Sequence, residues 1–379
     1  MMEHLDTNEK FYRVNNFEEC HFNHNYKDGL NKMTEPFNTS PDADSGFHFA
    51  KETITKYLRY GVYLREVYIP QDPDTIVIRD PSGKKYRANK IILGKRYLLS
   101  DVETFKMLKG KVDFRVSYDF AARWAAGKGY GDIFDFLIDN GCDPNAKNGH
   151  AIRLASRNGH IEVVKKLVLR GVSITFKNYE AFRFAAFNGR EEVVDFLIKC
   201  GSDVYAEDDY AVNMACQNGH YNIVKKLLPF YENKNLLQNA ISSACQGGHL
   251  DIVKLLIDYG VEYRFKNDEP FRKACINGRF LVAQYLITLG VDVTVNNNEC
   301  CRKASTFGFV DVVKLLIFNG ANVQDRDNEA IRYAAFNGHI ETVKILVKYG
   351  ADHKVYNNYA LNKAQSNGHH AVVEYLSSI

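Results

Sequence analysis

The sequence has no apolar run approaching the roughly 20 residues a membrane-spanning helix needs. Its start, MMEHLDTNEK, places acidic residues where a secretory signal would be hydrophobic. Neither membrane insertion nor secretion is expected, the chain reads as intracellular, and the sequon at Asn38-Thr39-Ser40 is coincidental in that setting. Cysteine is sparse. Eight in 379 residues, with no Cys-x-x-Cys pair, exclude a disulfide scaffold and a ribbon-type zinc site. A dominant charge is missing too: 49 Lys+Arg stand against 46 Asp+Glu, a net +3, so no global field draws the protein to nucleic acid or an anionic membrane. There is a single Trp, and 8 Pro beside 26 Gly. With 45% apolar and 25% charged residues, the chain is neither disordered, collagenous nor an acidic solvating protein. At about 150 residues per domain, the length suggests two or three domains. What is plentiful is Phe, at 24, and Tyr, at 23.

The glycines conceal a period. Gly129, Gly159, Gly189, Gly219, Gly248, Gly278, Gly308, Gly338 and Gly368 recur at intervals of 30 residues, with one interval of 29. Four residues before each stands Ala, from Ala125 to Ala364, and eight after each stands Leu, from Leu137 to Leu376. Twelve after, seven of the eight available positions hold a second Gly. Apolar or small residues seven, four and three positions before the first Gly, as in Phe182, Ala185 and Ala186, mark one face of a short helix. Val or Ile at plus four and five and Leu at plus eight mark a second helix, as in Val163, Val164 and Leu167. The first Gly suits a left-handed turn between the helices and the second Gly ends the pair. Acidic residues such as Glu162, Asp251 and Glu341 open the second helix at the positive end of its dipole. One such pair has too little apolar surface to fold alone, so the pairs must stack.

The stretch AIRLASRNGHIEVVKKLVLRG, Ala151 to Gly171, resembles the Thr-Pro-Leu-His-x-Ala, Gly-His and Val-Val-x-x-Leu-Leu signatures of ankyrin repeats. The resemblance implies a mainly α fold: an α-solenoid of about nine 30-residue helix-turn-helix units over 111–379. The usual ankyrin period is 33, so a connecting hairpin about three residues shorter is implied. This shortened form is similar to the ankyrin families of giant amoebal viruses, which implies a viral chain acting in the host cell cytoplasm. Pro229-Phe230-Tyr231 replaces one terminal Gly and predicts a local irregularity over 229–236. In the last unit Gln365 and Ser377-Ser378 read as a polar cap.

Residues 1–110 carry no repeat. Runs at Phe11–Val14, Gly46–Phe49, Tyr63–Ile69, Thr75–Arg79 and Tyr86–Leu93 predict strands, the last two joined at Pro81-Ser82-Gly83, with one helix over Lys51–Tyr60. A small α+β domain is expected, similar to those preceding the repeats in giant-virus proteins. Within it Cys20, His21 and His24 read as a polar loop rather than a metal cluster, for want of further ligands. His48 inside Gly-Phe-His-Phe, with Tyr26 and Glu66, is the candidate for an enzyme or small-ligand pocket. A convergent polar pocket around them would favour that alternative, and a closed apolar core would favour a scaffold. No Gly-rich phosphate loop or Ser/His/Asp arrangement is present.

Cys216, Cys245 and Cys275 share a column with Ala and Ser, and so read as free buried thiols. The His column after the Gly, from His160 to His369, resembles the structural His of the family. On the exposed stripe of the first helices, Arg123, Arg153, Arg183, Arg272, Arg302 and Arg332 form a ladder. Glu180, Glu269, Glu299 and Glu329 each precede an Arg by three residues, while Tyr210 and Tyr359 precede Asn213 and Asn362 by three, which predicts local pairs and neutralisation rather than nucleic-acid binding. Phe184, Phe187, Ile276, Tyr333 and Phe336 stand on the same stripe as candidate partner-binding residues. The expectation is a non-enzymatic, monomeric protein-interaction scaffold without cofactor or metal, binding a host protein through the concave face. An adaptor for ubiquitin ligation ranks below it, because the repeats run through residue 379 and leave no F-box-like segment.

Overall fold

The computed structural model describes residues 9–21, 24–40 and 43–379. The chain divides into two compact parts, Met1–Phe182 and Arg183–Ile379.

The first part begins with strands. These are β1 (Phe11–Asn15), β2 (Cys20–His21), β3 (His24–Asn25), β4 (Gly29–Lys32), β5 (Phe47–Phe49), β6 (Tyr63–Tyr68), β7 (Val77–Arg79), β8 (Tyr86–Ala88) and β9 (Lys90–Leu98). They form a four-stranded antiparallel sheet in the order β1-β6-β9-β4, a three-stranded sheet β5-β8-β7 and the small β2-β3 hairpin. All five strand runs expected from the sequence are present. β7 and β8 form the predicted hairpin with Val77 opposite Ala88, and Gly83 turns the chain at a φ of 68°. β4 was not legible, because Leu30 points outward and the strand lacks an alternating pattern. The segment read as a helix is a 3₁₀ turn, Ile54–Tyr60. Phe11, Phe47, Phe49, Val67, Ile91, Leu93 and the ring of Tyr26 close the core between the sheets.

The same part continues into helix pairs, Val116–Lys128 with Gly131–Asp139 and Ala146–Asn158 with Ile161–Leu169. The second part repeats the pattern to the end, for example Val295–Thr306 with Val310–Phe318 and Asp325–Phe336 with Ile340–Lys348. Each column Ala and each column Leu is buried, which lets the helices approach closely. Gly308, at a φ of 73°, shows why its column is glycine, since a Cβ there would also lie 2.6 Å from His339 Nδ1.

The three residues missing from the hairpin are replaced by a conformation the sequence did not announce. Before the first helix of eight repeats, three consecutive residues take the left-handed conformation, among them Asn296-Asn297-Asn298 at φ of 52°, 59° and 54°. Each costs roughly 1–2 kcal/mol for a residue with a Cβ, which accounts for the Asn and Asp concentrated there. The Gly248 repeat lacks this turn and carries instead two 3₁₀ turns, Leu228–Phe230 and Lys234–Leu237, where Pro229 predicted irregularity. Tyr231 fills the place of the missing Gly, buried and donating to Asp209 Oδ1 at 3.0 Å. Gln365 is exposed where its column mates are buried.

Candidate protein-interaction face

The arginine ladder is not the exposed stripe that helical spacing predicted. Arg123, Arg153 and Arg302 are buried, and Arg183, Arg272 and Arg332 are half-buried. The guanidinium groups of Arg123, Arg153, Arg272, Arg302 and Arg332 fold back over their own left-handed turns. Arg302 Nε donates to the Asn297 carbonyl at 2.9 Å and Nη2 to the Asn296 carbonyl at 3.2 Å, and Arg332 does the same to Asp327 and Arg326. In repeats with Asn at this column, Asn213 and Asn362 cap the equivalent carbonyls of Asp208 and Asn357. The column therefore satisfies acceptors that the turn leaves without helical partners.

The ion pairs also differ from the expectation of local Glu–Arg pairs three residues apart. They cross between repeats. Arg153 meets Glu180 at 2.6 Å, Arg272 meets Glu299 at 2.8 Å and Arg302 meets Glu329 at 2.7 Å, each 27 residues on. The same step elsewhere puts Arg183 over the Tyr210 ring at 5.3 Å and Arg332 over Tyr359 at 5.7 Å. Arg123 Nη1 donates to His150 Nδ1 at 3.1 Å, and burial together with Arg153 and Arg123 lowers that imidazole to about 4. A guanidinium already spent on two carbonyls turns its remaining edge to the next repeat, so its own Glu is left to face the preceding Arg.

The histidine column is structural, as the resemblance implied. His220 Nε2 lies 2.9 Å from the Phe187 carbonyl and His369 Nε2 lies 2.9 Å from the Phe336 carbonyl, one repeat back. Asn218 and Asn367 donate to the same two carbonyls. Where Arg279 replaces His, its Nε donates to the Gln246 carbonyl at 2.9 Å. Cys216, Cys245 and Cys275 are buried free thiols, and burial raises all three above the ordinary thiol range.

These bonds fix the backbone beneath the candidate aromatics. Phe187 (37% exposed), Tyr333 (39%) and Phe336 (36%) present their rings to solvent, whereas Phe184 and Ile276 are half-buried and offer less than the sequence suggested. Tyr333 and Phe336 meet edge to face, with centroids 6.5 Å apart. Arg332 lies over the rings of Tyr333, Tyr356 and Tyr359 at 5.9, 5.0 and 5.7 Å, and Lys363 over Tyr359 at 5.6 Å. Tyr356 was missed because it sits in a left-handed turn, and Tyr359 because the sequence paired it with Asn362 alone.

In the amino-terminal strands the suggested trio does not converge. Tyr26 lies in the apolar core with the Arg13 guanidinium stacked 4.3 Å from its ring. Glu66, on the opposite face of β6 from Val67, accepts from Lys10, Tyr68 and Tyr97 at 3.0, 2.8 and 3.0 Å. Burial pushes the Glu66 carboxyl up, but those donors outweigh it and hold the group below the ordinary carboxylate range. His48 lines a separate recess, where burial and then Lys85 lower its imidazole to about 4. His21 and His24 pair across β2 and β3, but His24 is taken up by Asn31 Oδ1 at 3.2 Å and by the Phe47 ring, and Cys20 Sγ accepts from Asn16. Among the described residues no cluster of three metal-ligating side chains forms, and no helix is long and apolar enough to cross a membrane.

The profile described as Ankyrin repeats (3 copies) matches residues 119–208, 212–297 and 301–378, well over half the chain, and each match spans three of the 30-residue repeats. Curated relatives come from Acanthamoeba polyphaga mimivirus. One named as an ankyrin repeat protein is 44% identical over 118 residues, 29% of this chain and 38% of the relative. A second is 36% identical over 135 residues, 34% of this chain and 67% of the relative, and a third is 39% identical over 135 residues, 31% and 48%. The chain thus spans between about two fifths and two thirds of these relatives' lengths. Repeat spacing, buried columns and the cross-repeat His and Arg bonds agree with that match, and the chain belongs to the ankyrin-repeat family.

Proposed function

We propose that this chain is a non-enzymatic protein-interaction scaffold that binds a host protein through the exposed stripe of its first helices. Ankyrin repeats are generally protein-interaction modules, and the relatives of this chain are proteins of an amoebal virus. The observation that carries the reading is the display of Phe187, Tyr333 and Phe336 on helices whose ends are pinned by the next repeat. Aromatic rings bordered by Arg are the composition of interface hot spots, and a pinned backbone loses little further entropy on binding. Of the arginines that would otherwise suggest a phosphate-binding surface, Arg123, Arg153 and Arg302 are buried, Arg183 and Arg272 face Glu207 and Glu299, and Arg332 lies over Tyr rings, which favours protein over nucleic acid. Residues 1–110 act in this reading as a separate module ahead of the array at 111–379.

The test is affinity capture from amoebal lysate with the full chain and with a Phe187→Glu/Phe336→Glu double variant, followed by cross-linking of the recovered protein. The variant keeps its helical circular dichroism and loses at least about tenfold of the capture, as for two hot-spot residues. Undiminished capture by a folded double variant, or cross-links confined to residues outside the first helices, overturns the assignment.

A further inference from the structure

A recess of about 320 Å³ opens beside β1, lined among others by Arg13, His48, Phe49, Tyr57, Tyr60 and Lys85. Its volume lies in the range of small-ligand sites. Its floor carries an electrostatic anomaly. Arg13 is only 6% exposed, yet its guanidinium bonds are to neutral groups alone: Nε to Asn15 Oδ1 at 2.8 Å, Nη1 to the His48 carbonyl at 2.6 Å, and the Tyr26 ring. Among the described residues no carboxylate is in contact with it. Burial holds its pKa below the ordinary arginine value. Buried guanidinium groups are normally paired with an anion, because desolvation without a counter-charge costs several kcal/mol.

Lys85 lines the same recess as a second cation. Among the described residues its ammonium makes no ion pair, and its proximity is felt at His48, whose imidazole it helps to keep neutral. One carboxylate, Asp44, also lines the recess; its side chain is 82% exposed at the rim, 3.4 Å from His48 Nε2, and does not reach Arg13. Asp80 accepts from the Ser82 hydroxyl and the Lys84 and Lys85 amides. A neutral imidazole, a planar guanidinium with unused donors and an ammonium make a wall suited to an oxyanion. Phe49 and Tyr57 supply an apolar wall beside it.

We infer that this recess binds a small anionic ligand, its oxyanion held by Arg13 and Lys85 and its apolar body laid against Phe49 and Tyr57. The site is independent of the repeat face and gives the amino-terminal module a ligand of its own. Phosphate and carboxylate share the chemistry that the guanidinium reads, and the probes separate them.

Calorimetric titration of the full chain with phenyl phosphate, benzoate, inorganic phosphate and benzyl alcohol at constant ionic strength tests the inference. Phenyl phosphate or benzoate binds, whichever of the two is tighter naming the head group. Inorganic phosphate binds more weakly than phenyl phosphate, and benzyl alcohol not at all. Lys85→Gln, a half-exposed change that leaves folding intact, weakens the tighter probe by about tenfold, the worth of one charge-assisted contact. Arg13→Lys keeps the charge and loses the fork; a matching loss in a variant with an unchanged melting temperature supports the site. NMR titration of the His48 ring supplies a local readout, its midpoint rising from near 4 when the anion is bound. Binding of benzyl alcohol as tight as the anions, anion binding untouched by Lys85→Gln, or a His48 ring that does not respond overturns the inference.

Discussion

At the scale of single residues, the repeat is held by side chains that serve two neighbours at once. Arg302 satisfies two carbonyls of its own turn and the carboxylate of the following repeat. Its loss should therefore be felt by both. A double-mutant cycle of Arg302→Met with Glu329→Gln is expected to give a coupling of about 1–3 kcal/mol in urea unfolding, as for a largely buried pair. The cycle of Arg302→Met with Glu299→Gln, the pair three residues apart, should give less than about 0.5 kcal/mol, within the range of independent sites. Equal couplings would restore the local pairing that the sequence suggested. In the sequence Glu accompanies Arg and Tyr accompanies Asn, and helical spacing alone implies contact within one helix, because spacing along a chain says nothing of the neighbour 27 residues away.

At the scale of the element, the helix pairs were legible and the connection was not. Ala, Leu and Gly columns reflect burial and turn geometry, which impose the same demand in every copy, so periodicity reveals them. The left-handed turn imposes a backbone demand that several residue types can meet, and Ser117, Lys147, Arg326 and Tyr356 all occupy its first position. Its second position does form a column, Asn or Asp in seven of the eight turns from Asn148 to Asn357, but Asn and Asp also suit an ordinary loop, so the column by itself does not announce three left-handed residues in a row. The candidate partner-binding residues were half legible: helical spacing put Phe187, Tyr333 and Phe336 on the open stripe, but could not show that Phe184 and Ile276 are half-buried. The conformation makes a directional prediction at Arg326, which is exposed with a φ of 49°. Arg326→Gly relieves the Cβ clash and should raise stability by about 0.5–1 kcal/mol, less than the full clash because glycine gains freedom in the unfolded chain. Arg326→Val should lower it by about 1–2 kcal/mol, since a β-branched residue tolerates this region least. Chemical denaturation of both variants checks the order; a valine variant as stable as the glycine variant would contradict the turn.

At the scale of the molecule, length suggested two or three globular domains, and the repeat made that length a matter of copy number. The change of sequence character near residue 110 marks a proposed boundary between an α+β module and the array, but packing runs through it. Phe105 and Leu108, in the helix Val102–Leu108, are fully buried, and the Phe105 ring lies 6.0 Å from Trp124 and 6.4 Å from Phe114, both beyond the boundary. Thr55 Oγ1 donates to the Asp113 carbonyl at 2.8 Å, and the Asp113 amide donates to the Glu52 carbonyl at 2.8 Å. A chain ending at residue 110 would expose both apolar side chains, at roughly 1.5–3 kcal/mol each. That is a large share of the 5 or so kcal/mol typical at the low end for a small domain. A fragment of residues 1–110 is therefore expected to bind a hydrophobic dye and melt without a cooperative transition, whereas residues 1–172, which keep the first two helix pairs, should melt cooperatively. A sharp, dye-free transition in the shorter fragment would show instead that the strands carry a sufficient core of their own, and that the first repeat leans on them without being needed.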